Sequence, residues 1–203
     1  PPRSTLFPYT TLFRSKLYAV KEFTFNDIRQ HNRNNLLWRD DSVDGVKTGH
    51  TEAAGYCLVA SAKREGMRLV SVVMGTASEK ARLDESLSLL NYGFRFYETH
   101  RLYAVADRLS RTRVWMGENE EVSLGLAKDL YVTIPRRQYD RLNARTDVQS
   151  QLQAPLSKGQ KVGEVVVELD GEVITRQPLV ALEDVPEGGI WRQAVDTVLM
   201  MLE

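Results

Sequence analysis

A lysine, a threonine and a glycine follow one another at Lys47, Thr48 and Gly49, and their chemistry suits an anionic ligand. Lys47 supplies a positive charge and Thr48 a hydroxyl donor, while Gly49 lacks a side chain that would keep an extended peptide away. Such a peptide binds through its main chain when it pairs with a free strand edge. The triplet therefore predicts a strand that holds a peptide ending in a carboxylate.

The residues before this triplet predict where its strand begins. Asp44-Gly45 is a common turn dipeptide, so we expect a turn there and a strand from Val46. Taken alone, the triplet is also compatible with an ordinary strand that runs into a solvated turn.

Several segments around the triplet share a pattern with one enzyme family. Lys-Thr-Gly is an active-site motif of serine penicillin-binding proteins and β-lactamases. Together with these segments it closely resembles the D-alanyl-D-alanine carboxypeptidases, the low-molecular-mass penicillin-binding proteins. The segments are residues 22–24, 32–34, 36–38, 43–51, 54–56 and 58–62.

The resemblance implies an enzyme that removes the terminal D-alanine from peptidoglycan stem peptides through an acyl-serine intermediate. Its partners would be the peptidoglycan pentapeptide and the β-lactams that trap the intermediate, and no cofactor would be required. The enzyme would work in the periplasm, at the extracytoplasmic face of the bacterial inner membrane.

The resemblance also implies roles for five residues. Lys47 would provide electrostatic support, Thr48 would bond the substrate carboxylate, Gly49 would admit the substrate backbone, and His50 would border the site. Arg82 occupies the place of an arginine that lies near that carboxylate in the family. The sequence is equally compatible with an exposed helix arginine that pairs with a nearby acidic residue.

The nucleophile and its base are missing from this sequence. In the family both come from one S-x-x-K turn of helix, with an S-x-N motif nearby. No lysine here has a serine three residues before it, and no asparagine has one two residues before it. We therefore expect a fragment that is inactive alone.

Other functions stay open beside this one. A β-lactamase shares the Lys-Thr-Gly strand, although the long β-rich segment after residue 100 is unusual for it. A D-alanyl-D-alanine endopeptidase is related but usually lacks that segment. A non-catalytic cell-envelope module would describe the fragment as it stands.

The composition argues against nucleic acid as a partner. The 27 basic residues equal the 27 acidic residues, so no concentrated basic face is expected. Arginines 136, 137, 141 and 145 alternate with aspartates and indicate a solvated face. The three histidines lie too far apart to predict a metal site, and no apolar stretch is long enough to span a membrane.

The pattern along the chain predicts an α/β (α+β) part of a penicillin-binding/β-lactamase-like transpeptidase domain at residues 16–98. An all-β sandwich domain follows at 99–187, and the start of an amphipathic helix at 188–203. Residues 1–15 are set apart because 5–15 match the translation of a sequencing adaptor, which indicates an artefactual leader, although a disordered natural terminus is the alternative.

Within the first domain, residues 55–62 and 67–74 predict a β-hairpin in a sheet covered on both faces. A capping box from Thr76 to Glu79 predicts the start of a helix. Its apolar stripe consists of Leu83, Leu87, Leu90, Phe94 and Tyr97.

In the second domain, short alternating runs predict strands of a sandwich. The Asp170-Gly171 turn should set Val167 opposite Ile174. The predicted strands cover residues 102–106, 112–116, 122–126, 130–134, 162–169 and 172–175.

The final segment, 190–203, has one apolar and one polar half when its residues are placed on a helical wheel. Such a helix most often packs on its own domain. In the family it lies on the outer face of the cytoplasmic membrane, and the two interpretations are equally favoured here.

Overall fold

An antiparallel sheet and one long helix build the part of the molecule that carries Lys47. In the computed structural model, residues 15–105 and 107–201 are described, and the chain divides into two units between Glu98 and Thr99. The predicted leader lies almost wholly outside the described residues. The first unit contains α1 (Ser15–Tyr18), β1 (Glu22–Phe25), β2 (Ile28–His31), α2 (Leu36–Arg39), β3 (Val43–Thr51), β4 (Gly55–Arg64), β5 (Met67–Thr76) and α3 (Glu79–Phe96).

The core of the first unit lies between α3 and the sheet β3-β4-β5. The predicted apolar stripe of the helix is confirmed: Leu83, Leu90 and Phe94 are buried, and Leu87 and Tyr97 pack beside them. Facing them on β4 are Leu58, Ala60 and Ala62, whose small side chains let the helix approach closely. The hairpin β4–β5 is also confirmed.

One face of this sheet differs from the prediction. Val70, Val72 and Met74 of β5 are exposed, whereas Ser71 and Val73 between them are buried. In the described residues, β5 therefore alternates like a strand with one covered face, and the prediction of two covered faces is wrong.

The strand that carries Lys47 begins earlier than predicted. β3 starts at Val43, and Asp44 and Gly45 lie within it, at an irregularity in its pairing with β4. The turn prediction failed because pairing with β4 overrides the local preference of Asp-Gly.

The polar stretch before β3 is more ordered than its composition indicated. β1 and β2 form a hairpin whose turn residues, Asn26 and Asp27, both adopt positive φ angles of 48° and 58°. Asn and Asp tolerate this conformation better than other side chains. Leu36 and Leu37 of the short helix α2 are fully buried.

The start of α3 is capped by a residue that the sequence did not single out. Ser78 is the N-cap, and its hydroxyl accepts a 3.0 Å hydrogen bond from the backbone N–H of Ala81. Thr76, which was predicted to cap the helix, ends β5 and donates its hydroxyl to the carbonyl of Tyr56 at 2.9 Å.

The second unit is β-rich, and both of its sheets contribute to a single hydrophobic core. Its six-stranded sheet has the order β10-β12-β13-β8-β7-β11, and β6 pairs with β9. The elements are β6 (Tyr97–Tyr103), β7 (Arg108–Trp115), β8 (Glu121–Leu126), β9 (Leu130–Pro135), a 3-10 turn (Tyr139–Arg141), β10 (Leu142–Val148), β11 (Leu152–Gln153), β12 (Lys161–Leu169), β13 (Glu172–Ala181) and α4 (Ile190–Met200).

The Asp170-Gly171 turn is present, but its register differs by one residue. Both turn residues have positive φ, as a type I′ turn requires. A bulge then places Val167 opposite Thr175 instead of Ile174. Ala106, the end of one predicted strand, lies outside the described residues.

Strand β10 was not predicted, because the arginines and aspartates of this region were interpreted as a solvated face. Within and beside it, Arg141 pairs with Asp170 at 2.5 Å, and Arg145 pairs with Asp147 and Glu168. The arginines of this region therefore take part in mixed-charge pairs at the sheet edge.

Helix α4 is amphipathic as predicted, but it packs on the second unit with its polar side. Asp196 is only 1% exposed, whereas Trp191 and Ile190 are 86% and 85% exposed. No helix among residues 15–105 and 107–201 is long and apolar enough to cross a bilayer.

Replacement of Ser78 by alanine should lower the free energy of unfolding of the first unit by about 1 kcal/mol, because the N–H of Ala81 loses its partner. Ser88→Ala is the matched control on the exposed side of the same helix and should have no destabilising effect. Chemical denaturation monitored by circular dichroism measures both. Equal stability of the S78A and S88A variants would contradict the assignment of the cap.

The carboxylate of Asp40 joins β4 to the start of β3. It accepts hydrogen bonds from the backbone and hydroxyl of Ser42 at 2.9 and 2.6 Å and from Arg64 at 2.5 Å. Burial raises the pKa of Asp40, but the bonds from Ser42 and Arg64 outweigh it and hold the pKa below 3.8. The charged form is therefore the form that the fold stabilises.

Asp40→Asn should lower the free energy of unfolding at neutral pH by about 1–3 kcal/mol. Because the folded-state pKa is depressed, this contribution is present above pH 3.8 and is lost as the pH falls through the folded-state pKa. The two proteins should thus converge in stability on acidification. Asp41→Asn, at a position whose side chain is 98% exposed, is the control and should change little. A D40N difference that is independent of pH would contradict the role of the charge.

Candidate functional site

The ends of three elements meet where β3 carries the Lys-Thr-Gly triplet. Thr76, at the end of β5, pairs with Tyr56 at the start of β4, and Tyr56 pairs with His50 near the end of β3. Since α3 begins only three residues after Thr76, its first turn lies at the same end of the sheet. This topology brings Arg82 to the triplet from 33 positions away in the sequence.

The outer edge of β3 is covered at its start and unpaired farther along. Asn34, which is buried, donates its side-chain amide to the carbonyl of Gly45 at 2.9 Å, and Tyr18 lies beside the same glycine. Among the described residues, β3 pairs with β4 alone, so Lys47 to Thr51 have no strand on their other side. An extended peptide could pair there.

Thr48 and Lys47 point to opposite faces of β3, as neighbours in a strand must. Thr48 is 7% exposed and lies opposite Leu58, on the side that α3 covers. Lys47 is exposed, and its Nζ donates to the carbonyl of Thr48 at 2.5 Å. No carboxylate pairs with Lys47 in the part of the chain that the structure describes.

Arg82 is buried, not exposed, but it does pair with an acidic neighbour, Glu79, as the alternative interpretation expected. Its role near the substrate carboxylate stays a prediction. Arg82 is 3% exposed, and its guanidinium donates to the carbonyl of Gly49 at 3.4 Å and to Glu79 at 3.2 Å. Its Nε is buried and finds no hydrogen-bond partner among the described residues. A buried cation with an unused donor is suited to an anion.

Tyr56 belongs to the site although the sequence did not point to it. Its ring stacks on His50 with centroids 4.0 Å apart, and the Arg82 guanidinium lies 5.6 Å from the ring centre. Tyr56 thus holds both side chains at the end of the sheet. The register of β3 with β4 would have revealed it, since Tyr56 lies directly opposite His50.

A surface depression lies beside the first half of β3. It has a volume of about 550 Å³, and its lining includes Tyr18, Asp44, Val46 and Arg68 but not Lys47. Arg68 is occupied there by its ion pair with Asp44 at 2.7 Å. The triplet itself lies at an unpaired strand edge, with Lys47 on the strand and Arg82 against the carbonyl of Gly49.

The five predicted site residues extend from the middle of β3, at Lys47, to the end of the sheet where Arg82 meets Gly49. Arg82 contacts the carbonyl of Gly49. The ring of Tyr56 contacts both His50 and the Arg82 guanidinium. Lys47 donates a hydrogen bond to the carbonyl of Thr48, next to Gly49. No cluster of metal-ligating side chains occurs within residues 15–105 and 107–201. Cations beside an unpaired strand edge are compatible with a peptide or anion as ligand, which stays a prediction here.

Two family models match the chain, one for each unit. Residues 9–78 match the D-alanyl-D-alanine carboxypeptidase family, and residues 97–187 match the C-terminal domain of penicillin-binding protein 5. The chain belongs to the D-alanyl-D-alanine carboxypeptidase family. The family resemblance seen around Lys47 is thereby confirmed.

Relatives of the carboxypeptidase family match nearly the whole chain. It is 48% identical over 187 residues to D-alanyl-D-alanine carboxypeptidase DacA of Escherichia coli K12 and 47% identical over 186 residues to DacC of the same organism. Each match covers 91% of this chain and 46% of the relative. The chain thus spans about half the length of these carboxypeptidases.

A solved structure supports the same family at the level of the fold. The chain is similar to penicillin binding protein 5 from Haemophilus influenzae with a TM-score of 0.79 and 44% identity, over 91% of this chain and 53% of the other. The predicted fold class, an α+β part followed by a β-rich part and a terminal helix, is confirmed.

Proposed function

We propose that this chain contributes the carboxylate-binding strand of a serine-type D-alanyl-D-alanine carboxypeptidase. That enzyme removes the terminal D-alanine of peptidoglycan stem peptides through an acyl-serine intermediate, and β-lactams acylate the same serine. The serine and its lysine base come from residues other than these 203, since no S-x-x-K or S-x-N pattern occurs among them.

The observation that carries this proposal is the burial of Arg82 against the backbone of the Lys-Thr-Gly strand. Glu79 pairs with the Arg82 guanidinium, but the buried Nε–H lacks a partner, and a buried donor without a partner is costly. Lys47 adds a second positive charge on the other face of the same strand. Two cations at an unpaired strand edge favour a peptide that ends in a carboxylate.

Each site residue has a role in this proposal. Arg82 and the hydroxyl of Thr48 bind the carboxylate of the terminal D-alanine, while Gly49 leaves room for the peptide backbone beside β3. Lys47 stabilises the negative charge that develops during acylation. His50 borders the site and is held in place by Tyr56.

The same proposal places the protein in the periplasm with α4 against the outer face of the inner membrane. The support is the outward apolar face of α4, which includes Ile190, Trp191 and Val198. Helices with this pattern lie in the plane of the interface with their apolar side in the lipid.

A non-catalytic envelope module is the second candidate for the isolated chain. The observation in its favour is the absence of the nucleophile motifs from the sequence. The two candidates differ in whether the triplet recognises a D-alanine carboxylate.

An acyl-D-alanyl-D-alanine peptide with a free carboxylate should bind the 203-residue chain, with a dissociation constant of about 1 mM. Arg82→Gln and Lys47→Gln should each weaken binding about tenfold, because each removes a charge-assisted contact. The same peptide with an amidated C-terminus should bind equally poorly to all variants. Chemical-shift titration measures these affinities.

Arg95→Gln, at an exposed position in the last turn of α3, is the control for the loss of one positive charge and should bind like the unmodified chain. Lys47 is exposed, so the K47Q variant keeps the test valid even where R82Q disturbs the fold. Equal binding of the free and amidated peptides would overturn the proposed role of the triplet.

A fluorescent penicillin should form no covalent adduct with this chain, because the acyl-serine cannot form without its nucleophile. Penicillin binding protein 5 from Haemophilus influenzae serves as the positive control. Gel fluorescence after denaturation measures the adduct. Stoichiometric labelling of the 203-residue chain would show that another residue acts as the nucleophile.

A further inference from the structure

Helix α4 packs in an unusual way, because its polar side faces the protein. The inward side carries Arg192, Gln193, Asp196, Thr197 and Met200, all buried or half-buried. The outward side consists of Ile190, Trp191, Ala194, Val195, Val198 and Leu199, all exposed. A helix that packs on its own domain normally does the reverse.

Asp196 is the centre of this contact. One carboxylate oxygen accepts the backbone N–H of Met116 at 2.7 Å and the Nε of Arg192 at 3.2 Å. The other lies 3.8 Å from the guanidinium of Arg113. The side chain is 2% exposed, and its charge is balanced by two arginines, which is the condition under which a buried carboxylate is tolerated.

Arg192 extends the contact to the adjacent hairpin. It binds Asp196, four residues later in the helix, and also donates to Glu120 at 2.6 Å. The segment that leads into α4 is held as well, because Gly188 donates its N–H to the carbonyl of Met116 at 2.8 Å. A side chain at position 188 would lie 2.8 Å from the carbonyl oxygen of Gly117, so glycine allows this close approach.

We propose that Asp196 is a positioning residue: with Arg192, Arg113 and the Met116 N–H it fixes α4 to the second unit by its polar side, and so keeps the apolar side turned outward toward a lipid bilayer. The four groups are named the polar clamp. The lipid as occupant rests on the membrane contact proposed above, whereas the clamp itself does not.

The charge distribution of α4 favours lipid over a protein partner. Both charged residues of the helix, Arg192 and Asp196, face inward and are paired with the second unit. The outward side carries no charge between Ile190 and Met200. Protein interfaces have a polar rim around their apolar centre, whereas the hydrocarbon boundary of a bilayer requires none. Trp191 on this side has the amphipathic ring that membrane interfaces favour.

This arrangement also determines how the helix should respond to salt. Interfacial helices usually bind anionic lipid through lysines and arginines on their polar side. Here that side is occupied by the polar clamp, so apolar burial alone should drive binding. The contact should therefore depend little on ionic strength or on anionic lipid.

The first test measures the clamp without lipid, by hydrogen–deuterium exchange of the 203-residue chain. Asp196→Ala should increase exchange in residues 190–200 about tenfold or more, because the helix loses its bond to the Met116 N–H and its ion pair with Arg113. Arg192→Met is the milder variant and should do the same to a smaller extent. Val198→Asp, on the outward side, is the control and should leave exchange unchanged. Exchange like that of the unmodified chain in both clamp variants would overturn the proposal.

The second test measures co-sedimentation with phosphatidylcholine vesicles at low and high salt. The unmodified chain should bind the vesicles equally well at low and at high salt. V198D should lose binding. D196A should bind about tenfold more weakly, because its loosened helix must be ordered before it binds. Binding only to anionic vesicles at low salt would overturn the apolar side as the contact.

The two tests separate the clamp from the proposed function. Increased exchange in D196A and R192M would support the clamp. If the unmodified chain nevertheless binds no vesicles, the membrane contact is overturned. If the unmodified chain self-associates and V198D abolishes this self-association, the apolar side of α4 contacts a second copy of the chain, and lipid as its partner is overturned. Exchange in β12 reports whether D196A keeps the fold of the second unit.

Discussion

The packing of α3 against β4 is the contact on which the first unit depends. Leu83, Leu90 and Phe94 are buried there against two alanines and a leucine of β4. Gly93 faces Leu69 so closely that an added methyl group would lie 2.4 Å from its Cδ1. Burial of these side chains supplies the free energy that fixes the helix on the sheet.

The same packing determines the electrostatics of the candidate site. Arg82 precedes Leu83, so the burial of one brings the other to the backbone of Gly49. The guanidinium is compensated by a carbonyl, by Glu79 and by the ring of Tyr56, but its Nε is not. Exposed Lys47 lies on the opposite face of the strand. In this proposal a carboxylate at the free edge of β3 balances the charge of Lys47 and accepts the remaining donor of Arg82, whose charge already pairs with Glu79.

In the second unit, polar contacts take the place that apolar contacts have in the first. The β strands already enclose a complete core, to which α4 contributes none of its buried residues. The helix is held instead by one buried carboxylate, which contacts Arg113 of β7, the N–H of Met116 directly after that strand, and the guanidinium of Arg192 within the helix itself. Such an arrangement stabilises a particular orientation, because a carboxylate without its donors would be costly to bury. The apolar side of α4 is then left for a contact outside the unit.

Local patterns in the sequence were sufficient for much of this architecture. The spacing of Leu83, Leu90 and Phe94 predicted the buried side of α3, because a period of 3.6 residues is set by helix geometry alone. The residues 63–66 between two apolar runs predicted the hairpin β4–β5, and Asp170-Gly171 predicted a type I′ turn. The Lys-Thr-Gly triplet and its flanking segments indicated the family.

Other features depended on contacts between residues far apart in the chain, which no local pattern contains. Pairing with β4 drew Asp44 and Gly45 into a strand, and the bulge in β13 moved Val167 away from Ile174. Arg82 is buried because the sheet and helix converge there, although its own neighbours are equally compatible with exposure. For α4, the sequence determined that the helix has one apolar and one polar side. Only the tertiary structure decided that the polar side faces inward, because the donors that Asp196 requires lie on Met116 and Arg113, some 80 residues earlier.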